Sequence, residues 1–188
     1  MKEVRSIAIV GGGELAATIR CNAGELYNKI DIIDHNKFDI TNQGQCDAII
    51  PQLATYDAVI ITAGTISTDL WSMWLTNTVG PCYLIAKLNA TASGQRIIAI
   101  SSHGASWTSW PDISIDRLNY NTSKSALNMF LNGMVHQGTS TNKITVFEPS
   151  RFKTRMSNYQ GANVTDIAQQ VLEVIDSPMH IIHVIVKE

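Results

Sequence analysis

The sequence predicts a doubly wound α/β fold, and three observations carry that prediction. Short apolar runs alternate with stretches of helical periodicity along nearly all of the 188 residues. The runs in the middle of the chain are apolar without a break, as strands of a parallel sheet covered on both faces must be. A glycine-rich turn joins the first run to the first helical stretch, as the first βα connection of such a sheet allows.

The elements follow in order. Residues 6–10 form a buried strand, and residues 14–22 the helix after the glycine turn. Residues 30–33 form a second strand ending at Asp34, and residues 38–40 a short third one. A helix over 43–53 leads to a strand over 58–62, closed by Ala63-Gly64. Residues 70–92 support one long helix despite Gly80-Pro81 in its middle. A strand over 96–101 precedes a helix over 120–134, where Ala126, Leu127, Phe130, Leu131 and Met134 fall at helical spacing. A strand over 144–147, a helix over 165–175 capped by Thr165 or Asn163, and a strand over 181–186 complete the chain. The expectation is one domain over residues 1–188, with seven mostly parallel strands and helices on both faces. The longest stretch without periodicity, 103–118, contains Trp107, Trp110 and Pro111 and reads as a functional loop.

Composition narrows the function. Hydrophobic residues make up 45% and charged residues 16%, which fits a globular protein. A net charge of −2 and the lack of a Lys/Arg run speak against nucleic acid. No apolar stretch is long enough to span a membrane, and the start of the chain has no leader pattern, so a cytoplasmic protein is expected. Cys21, Cys46 and Cys82 are odd in number and widely spaced, so buried thiols are expected rather than disulfides. His35, His103, His136, His180 and His183 have no metal-ligand spacing. Arg151, Lys153 and Arg155 are a solvated cluster or an attractor for an anionic substrate.

Two motifs carry chemistry. The window Gly11-Gly12-Gly13-Glu14-Leu15-Ala16 follows the first strand and matches the Gly-x-Gly-x-x-Ala form of the Rossmann fingerprint. There the backbone approaches a pyrophosphate at a helix N-terminus. Asp34, twenty-one residues after Gly13, is placed for the adenosine ribose hydroxyls. Its charge and that of Glu14 disfavour a further phosphate, so NAD(H) is preferred over NADP(H). Lys37 or Arg20 are the residues that would rescue NADP(H). The second motif is Tyr120-x-x-x-Lys124, a phenol and an ammonium one helical turn apart. A neighbouring cation favours phenolate, so Lys124 is expected to lower the Tyr120 pKa from ~10 toward neutrality. Ser102, eighteen positions upstream at a strand end, offers a hydroxyl for a carbonyl or alcohol oxygen.

Together these residues resemble the short-chain dehydrogenases/reductases along nearly the whole chain. Ile100-Ser101-Ser102 resembles the family's catalytic serine segment, and Tyr120-x-x-x-Lys124-Ser125-Ala126-Leu127 its catalytic helix. Asn77-Thr78-Val79-Gly80-Pro81 resembles the Asn-x-x-Gly-Pro segment whose asparagine completes a tetrad. Asp39-Ile40 matches the pair flanking the adenine, and Thr62-Ala63-Gly64 the Asn-Ala-Gly turn. Pro149-Ser150-Arg151-Phe152-Lys153-Thr154 is similar to the Pro-Gly-x-x-x-Thr segment beside the nicotinamide.

The resemblance implies an NAD(P)-dependent oxidoreductase acting on a small carbonyl or alcohol. Tyr120 would be its acid/base, Ser102 would orient the substrate, and Lys124 would tune Tyr120 and bind the ribose. Asn77 would anchor a proton relay. It also implies a homodimer or homotetramer built through the helices over 70–92 and 120–134. Thr62 and Ser150 depart from the family pattern, and the segment after Thr154, about ten residues before the next helix, predicts a reduced lid. That trimming motivates the alternative of a non-catalytic NAD(H) sensor.

Overall fold

The computed structural model describes residues 4–106, 115–177 and 183–185. Among the described residues, six parallel strands form one sheet in the order β2-β1-β3-β4-β5-β6. They are β1 (Ser6–Val10), β2 (Lys29–Ile33), β3 (Ala58–Ile61), β4 (Arg96–Ile100), β5 (Lys143–Glu148) and β6 (His183–Ile185). The helices are α1 (Glu14–Ala23), α2 (Gln43–Leu53), α3 (Leu70–Trp74), α4 (Gly80–Thr91), α5 (Ile115–His136) and α6 (Val164–Asp176).

The unbroken apolar runs are explained by two cores. Alternate residues of each central strand feed opposite faces. Val59, Ile61, Ile97, Ala99, Ile144 and Val146 pack with Leu84 and Leu88 of α4 and Leu127 and Leu131 of α5. Ile60, Ile98, Ile100 and Phe147 pack with Ile19 of α1 and Val171 of α6. The strand order reverses between β1 and β3, which opens a crevice at their C-terminal ends.

The expected seventh strand does not form. Phe38 and Ile40 are buried in the α2/α4/α5 core, but neither is in a strand: Phe38 has irregular backbone and Ile40 lies in a turn. The Phe38 N–H donates to the Asp34 carbonyl, the Asp39 N–H to Gln45 Oε1, and the Asp39 carboxylate accepts from the Thr41 N–H. Local partners therefore take the backbone groups a ladder would need. The last strand is described only over His183–Ile185, so the remainder of the expected 181–186 run lies outside the described residues, as do Trp107, Trp110 and Pro111.

The expected single helix over 70–92 is also divided. α3 and α4 are joined by a π-helical turn, Leu75–Val79, in which the Gly80 N–H donates to the Leu75 carbonyl. Pro81 has no N–H to offer the carbonyl four residues back, so the ordinary ladder breaks there. Gly80 is required on steric grounds, because a Cβ at this position would lie 2.4 Å from the Ile40 carbonyl oxygen. Gly80→Ala is expected to cost about 1–3 kcal/mol, lowering Tm by several degrees in a calorimetric scan.

Asp69 caps α3, and Asn42 caps α2. Of the two candidate caps for the last helix, Asn163 is the one used, its side chain accepting the Thr165 N–H at 3.0 Å. α5 begins five residues earlier than the expected 120, so Tyr120 sits in its second turn. No helix among the described residues is long and apolar enough to cross a membrane.

Candidate active site

A cleft of about 1640 Å³ runs along the C-terminal ends of the strands. At its nucleotide end lies the glycine turn. Gly13 is the N-cap of α1 without any side-chain cap, and a Cβ there would meet nothing within 4 Å. The first N–H groups of α1 are thus left for an outside acceptor, as a pyrophosphate cradle requires. Gly11 has φ of +125°, and a Cβ on it would lie 2.5 Å from Thr62 Oγ1. Thr62, the departure from asparagine, donates its hydroxyl to the Val10 carbonyl at 3.2 Å and so ties β3 to β1. Glu14, Leu15, Asp39, Ile40, Ala63 and Gly64 all line this part of the cleft.

Asp34 stands at the end of β2, packed against Gly12, where a Cβ would fall 2.6 Å from its own. Its carboxylate accepts the Asn36 N–H at 3.1 Å, and Asp34 is not part of the cleft wall, whereas the neighbouring His35 is.

At the other end, β4 delivers Ser102 and α5 delivers Tyr120 and Lys124, all three lining the cleft. Ser102 accepts the Gly104 N–H at 3.3 Å and shares a side-chain hydrogen bond with Tyr120. Lys124 is only 3% exposed, and its ammonium donates to the Ile100 carbonyl at 2.9 Å. Asn77 is fully buried in the π-helical turn. Its Oδ1 accepts the Thr65 N–H at 2.8 Å, while its Nδ2 donates to the Thr65 carbonyl and to Ser123 Oγ. A Cβ on Gly64 would come within 3.2 Å of Lys124 Nζ and 3.5 Å of Asn77 Oδ1, so this glycine keeps the two polar heads close.

The electrostatics differ from the sequence expectation. Burial pushes the Tyr120 phenol up to about 12, partly opposed by its bond with Ser102. Burial pulls the Lys124 ammonium down to about 8. Each group is driven toward its neutral form, and burial is the main cause for both.

Pro149 lies beside the serine, its carbonyl accepting the His103 N–H at 2.9 Å. The Ser150 hydroxyl is buried and has no hydrogen-bond partner. Thr154 starts a short 3₁₀ turn through a reciprocal cap with Ser157. The stretch from Arg151 to Ala162, which includes the segment expected as a reduced lid, closes into a ring. Phe152 bridges to Ala162, the Ala162 N–H donates to the Arg151 carbonyl, and Asn158 and Tyr159 take left-handed conformations between them. Glu14 fastens the ring to the glycine turn by accepting the Arg155 N–H at 2.7 Å. Sequence reasoning missed this latch, because nothing in either segment alone signals a contact across 141 positions. It also missed Asn128, whose amide donates to the fully buried Glu148 carboxylate.

Among the described residues no group of His, Cys, Asp and Glu is placed to hold a metal ion. The three cysteines are free thiols, Cys46 buried and Cys21 exposed.

No family model matches the chain, and no curated protein matches it in sequence. Solved structures do match in shape. A short chain dehydrogenase from Burkholderia cenocepacia J2315, in complex with NADP, superposes with a TM-score of 0.75 at 14% identity, covering 98% of this chain and 90% of that one. The protein lin1944 from Listeria innocua gives 0.81 at 11% identity, covering 97% and 100%. A dTDP-4-dehydrorhamnose reductase from Bacillus anthracis, in complex with NADP, gives 0.73 at 16%, covering all of this chain and 76% of the other. The chain therefore has the fold of the short-chain dehydrogenases/reductases over nearly its whole length.

Proposed function

We propose that this protein is an oxidoreductase that uses a nicotinamide dinucleotide on a small carbonyl or alcohol. The observation that carries the reading is that one cleft holds both an uncapped glycine turn and the Ser102–Tyr120 pair with Lys124 alongside. Solved structures of the same fold in complex with NADP support the cofactor class.

The glycine turn would hold the pyrophosphate, with Asp39 and Ile40 at the adenine and Ala63, Gly64, Pro149 and Thr154 along the nicotinamide half. The bound nicotinamide supplies or accepts the hydride. In reduction the Tyr120 hydroxyl gives its proton to the carbonyl oxygen, and in oxidation the phenolate takes it back. Ser102 holds that oxygen and stabilises charge developing on it. Lys124 binds ribose hydroxyls, and Asn77 fixes the Thr65 backbone beside it, at the head of a path returning protons to Tyr120.

NAD(H) is the proposed preference, since Asp34 and Glu14 place negative charge at the nucleotide end. Fluorescence titration with NADH and NADPH, followed by a panel of ketones, aldehydes and alcohols, tests the reading. Binding of neither nucleotide would overturn it, and binding without turnover would favour the sensor.

The pKa directions predict the pH profiles. With Tyr120 protonated far above neutrality, kcat/KM for reduction is expected to be flat from pH 6 to the high 7s. For oxidation it should climb roughly tenfold per unit over that range, bending near 8 where Lys124 loses its proton. We also propose a homodimer or homotetramer in the cytoplasm, associating through α4 and α5. Val79 at the entry to α4 and Leu118, Met129 and Phe130 on α5 expose apolar surface. A monomer in sedimentation at micromolar concentration would sink the assembly.

A further inference from the structure

The ring from Arg151 to Ala162 is fixed at its base. Phe152 and Ala162 pack against the core that holds α1 and α6 residues. The Lys153 N–H donates to the Ala162 carbonyl and the Ala162 N–H to the Arg151 carbonyl, both at 2.8 Å. Gly161 completes the closure at φ of +102°, where a Cβ would lie 1.9 Å from the Arg151 carbonyl oxygen. The far side of the ring is open to solvent, with Met156 47% and Tyr159 61% exposed. There Arg155 opens the 3₁₀ turn, and its N–H donates to the Glu14 carboxylate at 2.7 Å. Glu14 is the first residue of α1, directly after the uncapped Gly13, and both it and Arg155 line the cleft. A carboxylate beside a diphosphate is a cost by like-charge repulsion. What it supplies in this structure is a charge-assisted bond across 141 positions, stronger than a neutral one.

We infer that Glu14 is a positioning residue whose carboxylate holds the ring as a strap against the glycine turn, and that this latch sets how slowly the nucleotide leaves. The inference rests on the oxidoreductase reading above, which assigns the glycine turn to the pyrophosphate. A ring closed by its own hydrogen bonds moves as one piece, so a bond on its far side governs whether it stays against the turn. The two roles open to Glu14 have opposite signs. As a bare charge it repels the pyrophosphate and speeds release. As a latch it slows release, and the acceptor oxygen matters more than the charge.

The test times NADH release by stopped flow, as the loss of nucleotide fluorescence when excess NAD+ is added. Glu14→Gln keeps an oxygen that can accept the Arg155 N–H and removes the charge, whereas Glu14→Ala removes both. Arg155→Pro deletes the N–H at the first position of a 3₁₀ turn, where the fixed φ of proline fits. Thr154 before it already has the extended backbone that proline requires of its predecessor, with ψ of 168°. Arg155→Ala removes the same side chain and keeps the N–H. Release is expected to be about tenfold faster from Glu14→Ala than from Glu14→Gln, and about tenfold faster from Arg155→Pro than from Arg155→Ala. The double variant Glu14→Ala/Arg155→Pro should be no faster than either single one, because both break the same bond. Amide hydrogen exchange in the ring of the nucleotide-free protein should rise in Glu14→Ala and Arg155→Pro, and thermal melts check that each variant folds. Equal rates within each pair, or slower release from Glu14→Ala than from Glu14→Gln, overturn the latch. A wild type that binds neither NADH nor NADPH would instead overturn the oxidoreductase reading beneath it, with ring exchange still reporting whether Glu14 holds the ring.

Discussion

Tyr120→Phe is expected to lower kcat by about 10²–10⁴-fold while nucleotide binding persists. The argument starts from where the hydroxyl sits. It is held by Ser102 at the end of β4, on a helix whose next turn carries Lys124. Removing one oxygen leaves the ring to fill the same half-buried space, so the fold and the cradle at Gly13 should survive. What is lost is the only phenol of the described cleft that also touches Ser102. Ser102→Ala should show a smaller loss, since the proton donor remains. Nucleotide affinity is measured by fluorescence titration, and turnover with whichever substrate the panel gives. A Phe variant retaining most of the wild-type rate would sink the acid/base role. One that lost nucleotide binding in step with turnover would make Tyr120 a positioning residue for the cofactor.

Much of this architecture was legible in the sequence because it rests on local rules. Unbroken apolar runs such as residues 58–61 and 97–100, set between helical patterns, read as strands buried on both faces, and both runs feed the two cores. The glycine turn was legible because a backbone conformation was at stake, and Gly11 adopts it. Where the reading failed, tertiary partners decided. Phe38 and Ile40 look like a strand by apolar content, but Asp39, Thr41 and Gln45 close their backbone locally. The π-helical turn was signalled only by Gly80-Pro81, and its purpose, turning Asn77 inward to Thr65 and Ser123, depends on a loop and a helix far along the chain. The direction of the Tyr120 pKa was misjudged because sequence spacing reports a neighbour's charge but not the water removed from both groups.

That desolvation leads to the second large effect. Lys124→Met is expected to abolish most turnover and yet to stabilise the unliganded protein at pH 7. Lys124 is 3% exposed, and its folded pKa of about 8 lies below the ~10.4 of a free lysine. The folded state thus disfavours the ammonium. The cost is present in full below pH 8, amounts to about 3 kcal/mol, and is relieved as pH rises from 8 to 10.5, where the unfolded chain binds more protons than the folded one. Methionine of similar length removes the charge but strands the Ile100 carbonyl that Lys124 now satisfies, which returns about 1–2 kcal/mol of that gain. The net expectation is a gain of about 1–2 kcal/mol at pH 7, read as a higher Tm, that fades and reverses toward pH 10. Tyr120 titrates in the same alkaline range, but it is present in both proteins and cancels in the difference. A variant that melts below the wild type at pH 7, or a difference that does not move with pH, would mean that Lys124 is held at no electrostatic cost. A positive difference would mean that the fold keeps a destabilising cation in the cleft that Tyr120 and Ser102 also line.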